Sequence, residues 1–411
     1  MRSSGRHNLV ITGVGVVSAV GQGKEAFVSS LMEGRHAFNI MTRPGRQNGT
    51  SYIGAQIESL TFPEGLSKRL LRSASLSGQA MLASLHEAWS DASLDGVPSE
   101  RVGLVIGGSN VQQREQIEVY RRYDGRLPYL TPTYGLSFMD TDLCGLCTEQ
   151  FGIQGFAYTV GGASASGQLA VIRAAEAVLS GQVDVCIAAG ALMDISYWEC
   201  QALRALGAMG SDRFADKPDE ACRPFDRERD GFIYGEACGV VVIEKASSAE
   251  RRNAKPYAAV AGWALGMDGN RNPNPSYEGE CRAISRALEH SGLQAEAIDY
   301  VNPHGTGSPI GDETELRALR DSGLSHAYLN ATKSITGHGL TAAGAVEIVA
   351  TLLQMQQSRL HPSRNLLDPM DDSFKWVRDR PVHHEIGHAL NLSMGFGGIN
   401  TAICISRYEE T

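Results

Sequence analysis

Strand-like and helix-like runs alternate along the chain, and the order of elements is traversed twice, which restricts it to layered α/β folds. Asn8–Val14 reads as a strand, followed by a glycine-rich turn and a helix near Lys24–Met32. Ser75–Trp89 reads as an amphipathic helix and Val102–Ile106 as a strand. Ser164–Leu179 reads as a helix, with Val183–Ala189 and Ala237–Glu244 as buried strands. The charged stretch Lys245–Lys255 reads as a connection. The pattern then restarts: strand Tyr257–Trp263, helix Glu280–His290, strand Ile298–Asn302, helix Asp312–Arg320, strand Ala327–Asn330, helix His338–Gln357, and strands Ala389–Met394 and Asn400–Ser406. No strong sequence repeat links the halves, so a duplication is suggested by element order alone.

Two stretches, Ser164–Leu179 and Gly339–Leu353, consist mainly of small and apolar residues. A helix without a broad polar face belongs in an interior. One such helix per half fits sheets packed around central helices; ordinary alanine-rich helices would read the same way. At 411 residues and 42% hydrophobic, the chain can bury a large core, in one domain or two intimate ones.

A net charge of -9 argues against nucleic-acid binding by the molecule as a whole. No apolar stretch reaches the roughly 18 residues of a membrane-spanning helix. Met1–Arg6 lacks the apolar core of a signal peptide. The eight cysteines are scattered, and Cys186 and Cys238 sit in apolar runs, so a reduced, cytoplasmic protein is expected. Cys144 and Cys147 have CxxC spacing but no second pair, which favours two part-buried thiols over a metal or redox site.

Four segments could carry chemistry. Gly161-Gly-Ala-Ser-Ala-Ser-Gly167 places Ser164 at the head of a helix, where free N–H groups and the dipole favour negative charge; Ser164 or Ser166 could equally be a helix cap. Asn302–Asp312 holds His304 in a Gly- and Pro-rich loop after a strand. Lys333-Ser-Ile-Thr-Gly-His338 leads into the second apolar helix, and Ser393-Met-Gly-Phe-Gly-Gly-Ile-Asn400 is a glycine-rich bend. His304 and His338 have no obvious third ligand of zinc-like spacing, so no metal is expected.

Together, in this order, these segments resemble the β-ketoacyl-acyl-carrier-protein synthases, type II. The resemblance runs from Val10-Ile-Thr-Gly-Val-Gly-Val-Val-Ser-Ala-Val-Gly21 through Arg223-Pro-Phe-Asp-Arg-Glu-Arg-Asp-Gly231 to Gly395-Phe-Gly-Gly398. It implies a thiolase-like five-layered α-β-α-β-α sandwich of two similar halves, with 1–250 carrying Ser164 and 251–411 carrying His304 and His338. It also implies a homodimer. His304 and His338 match the catalytic histidines, and Lys333 and Glu347 their supporting pair. Thr306 and Ser308 match hydroxyls that bind pantetheine, and Phe396 a gating residue whose N–H joins the oxyanion hole. Lys68, Arg69 and Arg72 match a docking patch for acidic carrier proteins, although such runs are usually solvated faces. Pro303 and Met394 are small departures from the usual motifs.

Ser164 stands where the family has its nucleophilic cysteine, and this departure decides the expected activity. A helix head can convert a thiol with a pKa of about 8.5 into a thiolate, but leaves a hydroxyl almost wholly protonated. A serine nucleophile needs a general base, and histidines placed to bind a carbonyl oxygen are not expected to serve it. Decarboxylation of a malonyl thioester needs no protein nucleophile, only donors aimed at the developing oxyanion. His304 and His338 can each supply an imidazole N–H, and Ser164, the third catalytic candidate, orients the substrate or supports proton delivery to the enolate. The chain is similar to the cysteine-to-serine ketosynthases of polyketide β-branching cassettes. The expected function is therefore conversion of malonyl- to acetyl-acyl-carrier protein beside a hydroxymethylglutaryl-synthase-like enzyme, with no cofactor beyond the carrier's phosphopantetheine. The alternatives are a synthase using Ser164 as nucleophile and a catalytically silent partner resembling a chain-length factor.

Overall fold

The computed structural model describes residues 8–271 and 273–409; the expectation for Met1–Arg6 lies outside them. The main sheet is built from β1 (Leu9–Ser18), β2 (Val102–Gly107), β3 (Phe156–Val160), β4 (Val185–Gly190), β5 (Ala237–Lys245), β6 (Ala258–Met267), β7 (Tyr300–Asn302), β8 (Tyr328–Leu329), β9 (Lys375–Trp376), β10 (His388–Gly395) and β11 (Ile399–Ser406). Its hydrogen-bonded order is β9-β8-β7-β10-β11-β6-β1-β5-β4-β2-β3.

The order has an internal symmetry centred on β1 and β6. Outward from β1, the neighbours β5 and β4 pair antiparallel, then β2 and β3 parallel. Outward from β6, β11 and β10 pair antiparallel, then β7 and β8 parallel. The seam is narrow: β1 and β6 meet only at Val10↔Ala259 and Ile11↔Ala258. Two copies of one topology are thus joined edge to edge, which is what the repeated element order implied.

Five helices complete the layers. α1 (Leu76–Asp91) covers β1 and β5; α3 (Tyr277–Ser291) covers β6 and β11, with α4 (Pro309–Asp321) beside it. α2 (Ser166–Leu179) and α5 (Ala343–Gln357) pack against each other and against strands of the sheet. Residues 343–355 of α5 are all buried, as is most of α2, so these are the central helices. They cross closely because Gly167 has no side chain: a Cβ there would lie 2.6 Å from the Ala345 nitrogen. The core joins β1, α2, α5 and strands of both halves, including Ile11, Val171, Ile348 and Ile403.

Several boundaries differ from the sequence reading for local reasons. α3 begins at Tyr277 because Ser276 Oγ accepts the Gly279 N–H at 3.1 Å. α4 begins at Pro309, whose missing N–H costs nothing in a first turn. The stretch read as a connection contains a helix, Ala246–Arg251, and Asn253 follows it with φ 54°. The helix expected from His338 starts only at Ala343, because Gly337 and Leu340 take positive φ and His338 bridges to Tyr234.

Candidate active site

Ser164 lies in a 3-10 turn, Ala163–Ala165, that leads into α2. Ala163 has φ 46°, a left-handed conformation costly for a residue with a Cβ. Ser166 holds the turn: its Oγ accepts the Gly162 N–H at 2.9 Å and donates to the Ala163 carbonyl at 2.7 Å. Ser393 Oγ donates to the Ser164 carbonyl at 3.1 Å. The Ser164 hydroxyl makes no cap on α2. It lies 2.9 Å from His338 Nε2. This differs from the expectation that neither histidine would serve the serine. The reason is that the bridge to Tyr234 holds His338 off α5, beside the turn.

His304 and His338 stand with ring centroids 5.6 Å apart at 84°, and Phe232 presses edge-on against His338 at 5.0 Å. Burial first, then the nearby Lys333 ammonium, holds the pKa of both imidazoles well below 6.5. Each is therefore a neutral ring with one N–H to give. The Nδ1 atoms of both are buried without a hydrogen-bond partner.

Lys333 is fully buried on a short helix, Lys333–Thr336. Its ammonium donates to the His304 carbonyl and pairs with Glu347 on α5. Burial pushes the Glu347 carboxyl up to about 7 against the pull of Lys333. The His304 loop is pinned from α4. Glu315 accepts the N–H groups of His304 at 2.6 Å and Gly305 at 2.7 Å, and Asp312 those of Thr306 and Gly307 at 3.1 and 3.0 Å. Sequence reasoning missed Glu315 and Asp312; their i, i+3 spacing at the head of a helix after His304 was the available signal.

These groups open onto one cavity of about 290 Å³ that Ser164, His304, His338, Thr306, Ser308 and Phe396 all line. Thr306 Oγ1 donates to Ser308 Oγ at 3.0 Å. The bend bearing Phe396 reaches the site because Gly395 is glycine: a Cβ there would lie 2.3 Å from the Gly162 carbonyl. Met394 also lines the cavity, while Lys68, Arg69 and Arg72 lie outside it on an exposed helix, Lys68–Ser73. Cys144 and Cys147 are buried free thiols on the helix Thr141–Phe151, and burial pushes the Cys144 thiol up to about 11.

Residues 6–249 match the family description "Beta-ketoacyl synthase, N-terminal domain" and residues 257–367 "Beta-ketoacyl synthase, C-terminal domain". The chain belongs to the β-ketoacyl synthase family. This synthase-family chain is 64% identical over 402 residues to a Bacillus subtilis protein named polyketide biosynthesis malonyl-ACP decarboxylase PksF, covering 98% of this chain and 97% of that one. It is 31% identical to 3-oxoacyl-[acyl-carrier-protein] synthase 1 of Haemophilus influenzae, over 97% of this chain and 99% of that protein. Among solved structures, a β-ketoacyl synthase from Burkholderia phymatum superposes with a TM-score of 0.89 at 26% identity, covering 98% of this chain and 100% of that one. The thiolase-like layered sandwich of the synthase family is thus the fold of this chain.

Proposed function

We propose that the chain decarboxylates malonyl-acyl-carrier protein to acetyl-acyl-carrier protein, as a step of polyketide β-branching. The observation that carries this reading is the pair of imidazoles, His304 and His338, sharing one cavity with a serine in place of a thiol. In the proposed step the malonyl carboxylate leaves as CO2 and its electron pair forms an enolate. The thioester oxygen takes the charge and receives the two imidazole N–H groups. Lys333 and Glu347 position His304 and α5, Phe396 gates the cavity, and Thr306 and Ser308 bind the pantetheine arm. The similarity to a named malonyl-ACP decarboxylase supports the same substrate here.

The Ser164–His338 contact favours a second reading, in which Ser164 is acylated. Two features weaken it. His338 Nδ1 has no partner to orient the ring, and the Lys333 charge opposes the imidazolium that a general base must become. Intact mass spectrometry separates the readings: the carrier loses the mass of CO2 in the first, and Ser164 gains an acyl group in the second. An unchanged malonyl carrier sinks the decarboxylase.

The proposed partners are an acyl-carrier protein, docked through Lys68, Arg69 and Arg72, and a hydroxymethylglutaryl-synthase-like enzyme that uses the acetyl product. A homodimer is supported by the sheet-edge strand β3 and by exposed Leu127, Tyr129, Leu136 and Phe138. The halves 1–250 and 251–411 are proposed as the structural units, the protein as cytoplasmic, and its chemistry as needing no cofactor of its own. Among the described residues no helix is long and apolar enough to cross a membrane.

A further inference from the structure

Decarboxylation leaves a carbon that must be protonated, and neither histidine is suited to that while it holds the oxygen. One part of the cavity lining supplies carboxyl groups instead: Asp268, Glu280, Asp312 and Glu315. Three of these are committed as acceptors. Asp268 takes the Asn400 amide at 2.8 Å. Asp312 takes the N–H groups of Thr306, Gly307 and, at 2.6 Å, Phe225. Glu315 takes those of His304 and Gly305. Glu280, in the first turn of α3, differs: it is 2% exposed, and its Oε2 is buried with no partner. Burial first, then the neighbouring Glu315, Asp268 and Asp312, pushes this carboxyl well above the usual range. Burial also pushes Glu315 up to about 8, but each of its oxygens is taken by a backbone N–H.

We propose that Glu280 is the acid that protonates the enolate carbon, a role that rests on the decarboxylase reading above. The C–CO2 bond breaks, CO2 leaves, and the electron pair passes through the enolate to a new C–H bond. The proton comes from the Glu280 carboxyl, which is left as carboxylate and recovers a proton from water entering the cavity. A condensing enzyme has no need of this acid, because its enolate carbon attacks an acyl group instead.

The test compares wild type with Glu280→Gln and Glu280→Asp on malonyl-carrier protein, measuring acetyl-carrier formation and exchange of 13C-labelled CO2 into the remaining malonyl groups. Gln keeps the shape but has no acidic proton. Its net turnover should fall about 10²-fold, the lower end for a general acid. The unprotonated enolate then recaptures CO2, so label exchange rises relative to turnover. The Asp variant should recover part of the net rate. Net turnover of Glu280→Gln within twofold of wild type, equal loss in the Gln and Asp variants, or loss of exchange together with turnover would each overturn the role. Wild type is the control for the reading beneath it: no acetyl product there sinks the decarboxylase, whereas normal wild type with an unaffected Gln variant sinks Glu280 alone.

Discussion

Ser164 Oγ and His338 Nε2 lie 2.9 Å apart, across the cavity that His304 also lines. A hydrogen-bonded serine and histidine would suggest acyl transfer, but burial and the Lys333 charge oppose the imidazolium that a base must become, and the far nitrogen lacks an orienting group. In the proposed step the enolate oxygen takes the place of the hydroxyl at His338 Nε2.

Ser164→Ala frees that nitrogen, and decarboxylation should stay within about tenfold of wild type, or ~1.4 kcal/mol of barrier. Ser164→Cys places a thiol at the head of α2 beside His338 and should gain self-acylation, visible in the intact mass of the enzyme. A fall of about a thousandfold in Ser164→Ala, ~4 kcal/mol, would make the hydroxyl part of the chemistry and refute the assignment.

The two imidazoles are the proposed oxyanion donors, so His304→Ala and His338→Ala should each lower kcat by about 10²–10³. KM for the malonyl carrier should change little, since the interaction strengthens only as charge develops on the oxygen. Steady-state kinetics on each variant checks this, and an equal loss in KM alone would contradict it.

The same two rings set an acid limit on stability without an acid limit on rate. Both are held well below 6.5 in the folded protein, whereas the unfolded chain titrates near 6.5. Above that pH both states are neutral and the histidines add no pH dependence. Below it the unfolded state binds more protons, so stability falls as pH falls. Melting temperatures from pH 7.5 to 5.5 should drop less in the double variant His304→Ala/His338→Ala than in wild type. Turnover should not decline through pH 6.5, because the N–H donors persist; a sigmoidal loss centred there would show that the rings do charge.

Much of this was legible in the sequence, and the missing parts share a cause. Small, apolar composition located α2 and α5, and the structure places the candidates Ser164, His304 and His338 around one cavity with Lys333 bonded to the His304 carbonyl, because spacing in sequence follows strand and helix ends. Glu315, Asp312 and Glu280 looked like ordinary polar positions of helices. Beyond the i, i+3 spacing of Asp312 and Glu315, their burial arises from α3 and α4 packing beside the His304 loop, a tertiary relationship. The placement of His338 off its helix likewise depends on Gly337, Leu340 and the distant Tyr234.

Lys333 joins the His304 carbonyl to Glu347, and its removal should be felt in both fold and rate. Lys333→Met leaves Glu347 buried without its partner, a change of about 3–5 kcal/mol for a broken buried pair. Lys333→Met/Glu347→Leu should regain much of that stability, since apolar replacement of a buried pair is often neutral. Chemical denaturation measures both. The double variant should remain slow, because the His304 carbonyl is still unanchored; full recovery of turnover would limit the pair to a structural role.

Carrier recognition is expected at a distance from the chemistry, and its electrostatics separate it from catalysis. Lys68, Arg69 and Arg72 are exposed on a six-residue helix anchored by buried Leu70 and capped by Ser67, with Arg69 paired to Glu149. Such an exposed pair adds little to stability, so reversing all three charges should leave the fold intact. An acidic carrier would meet the patch through screened, long-range attraction, with a Debye length of about 8 Å at physiological salt. Lys68→Glu/Arg69→Glu/Arg72→Glu should raise KM for malonyl-carrier protein by about 10- to 100-fold, or ~1.4–2.7 kcal/mol, and abolish its dependence on salt. Turnover of malonyl-pantetheine, which brings no protein surface, should be unchanged. Salt-sensitive carrier binding that survives the triple reversal would place the docking surface elsewhere on the molecule.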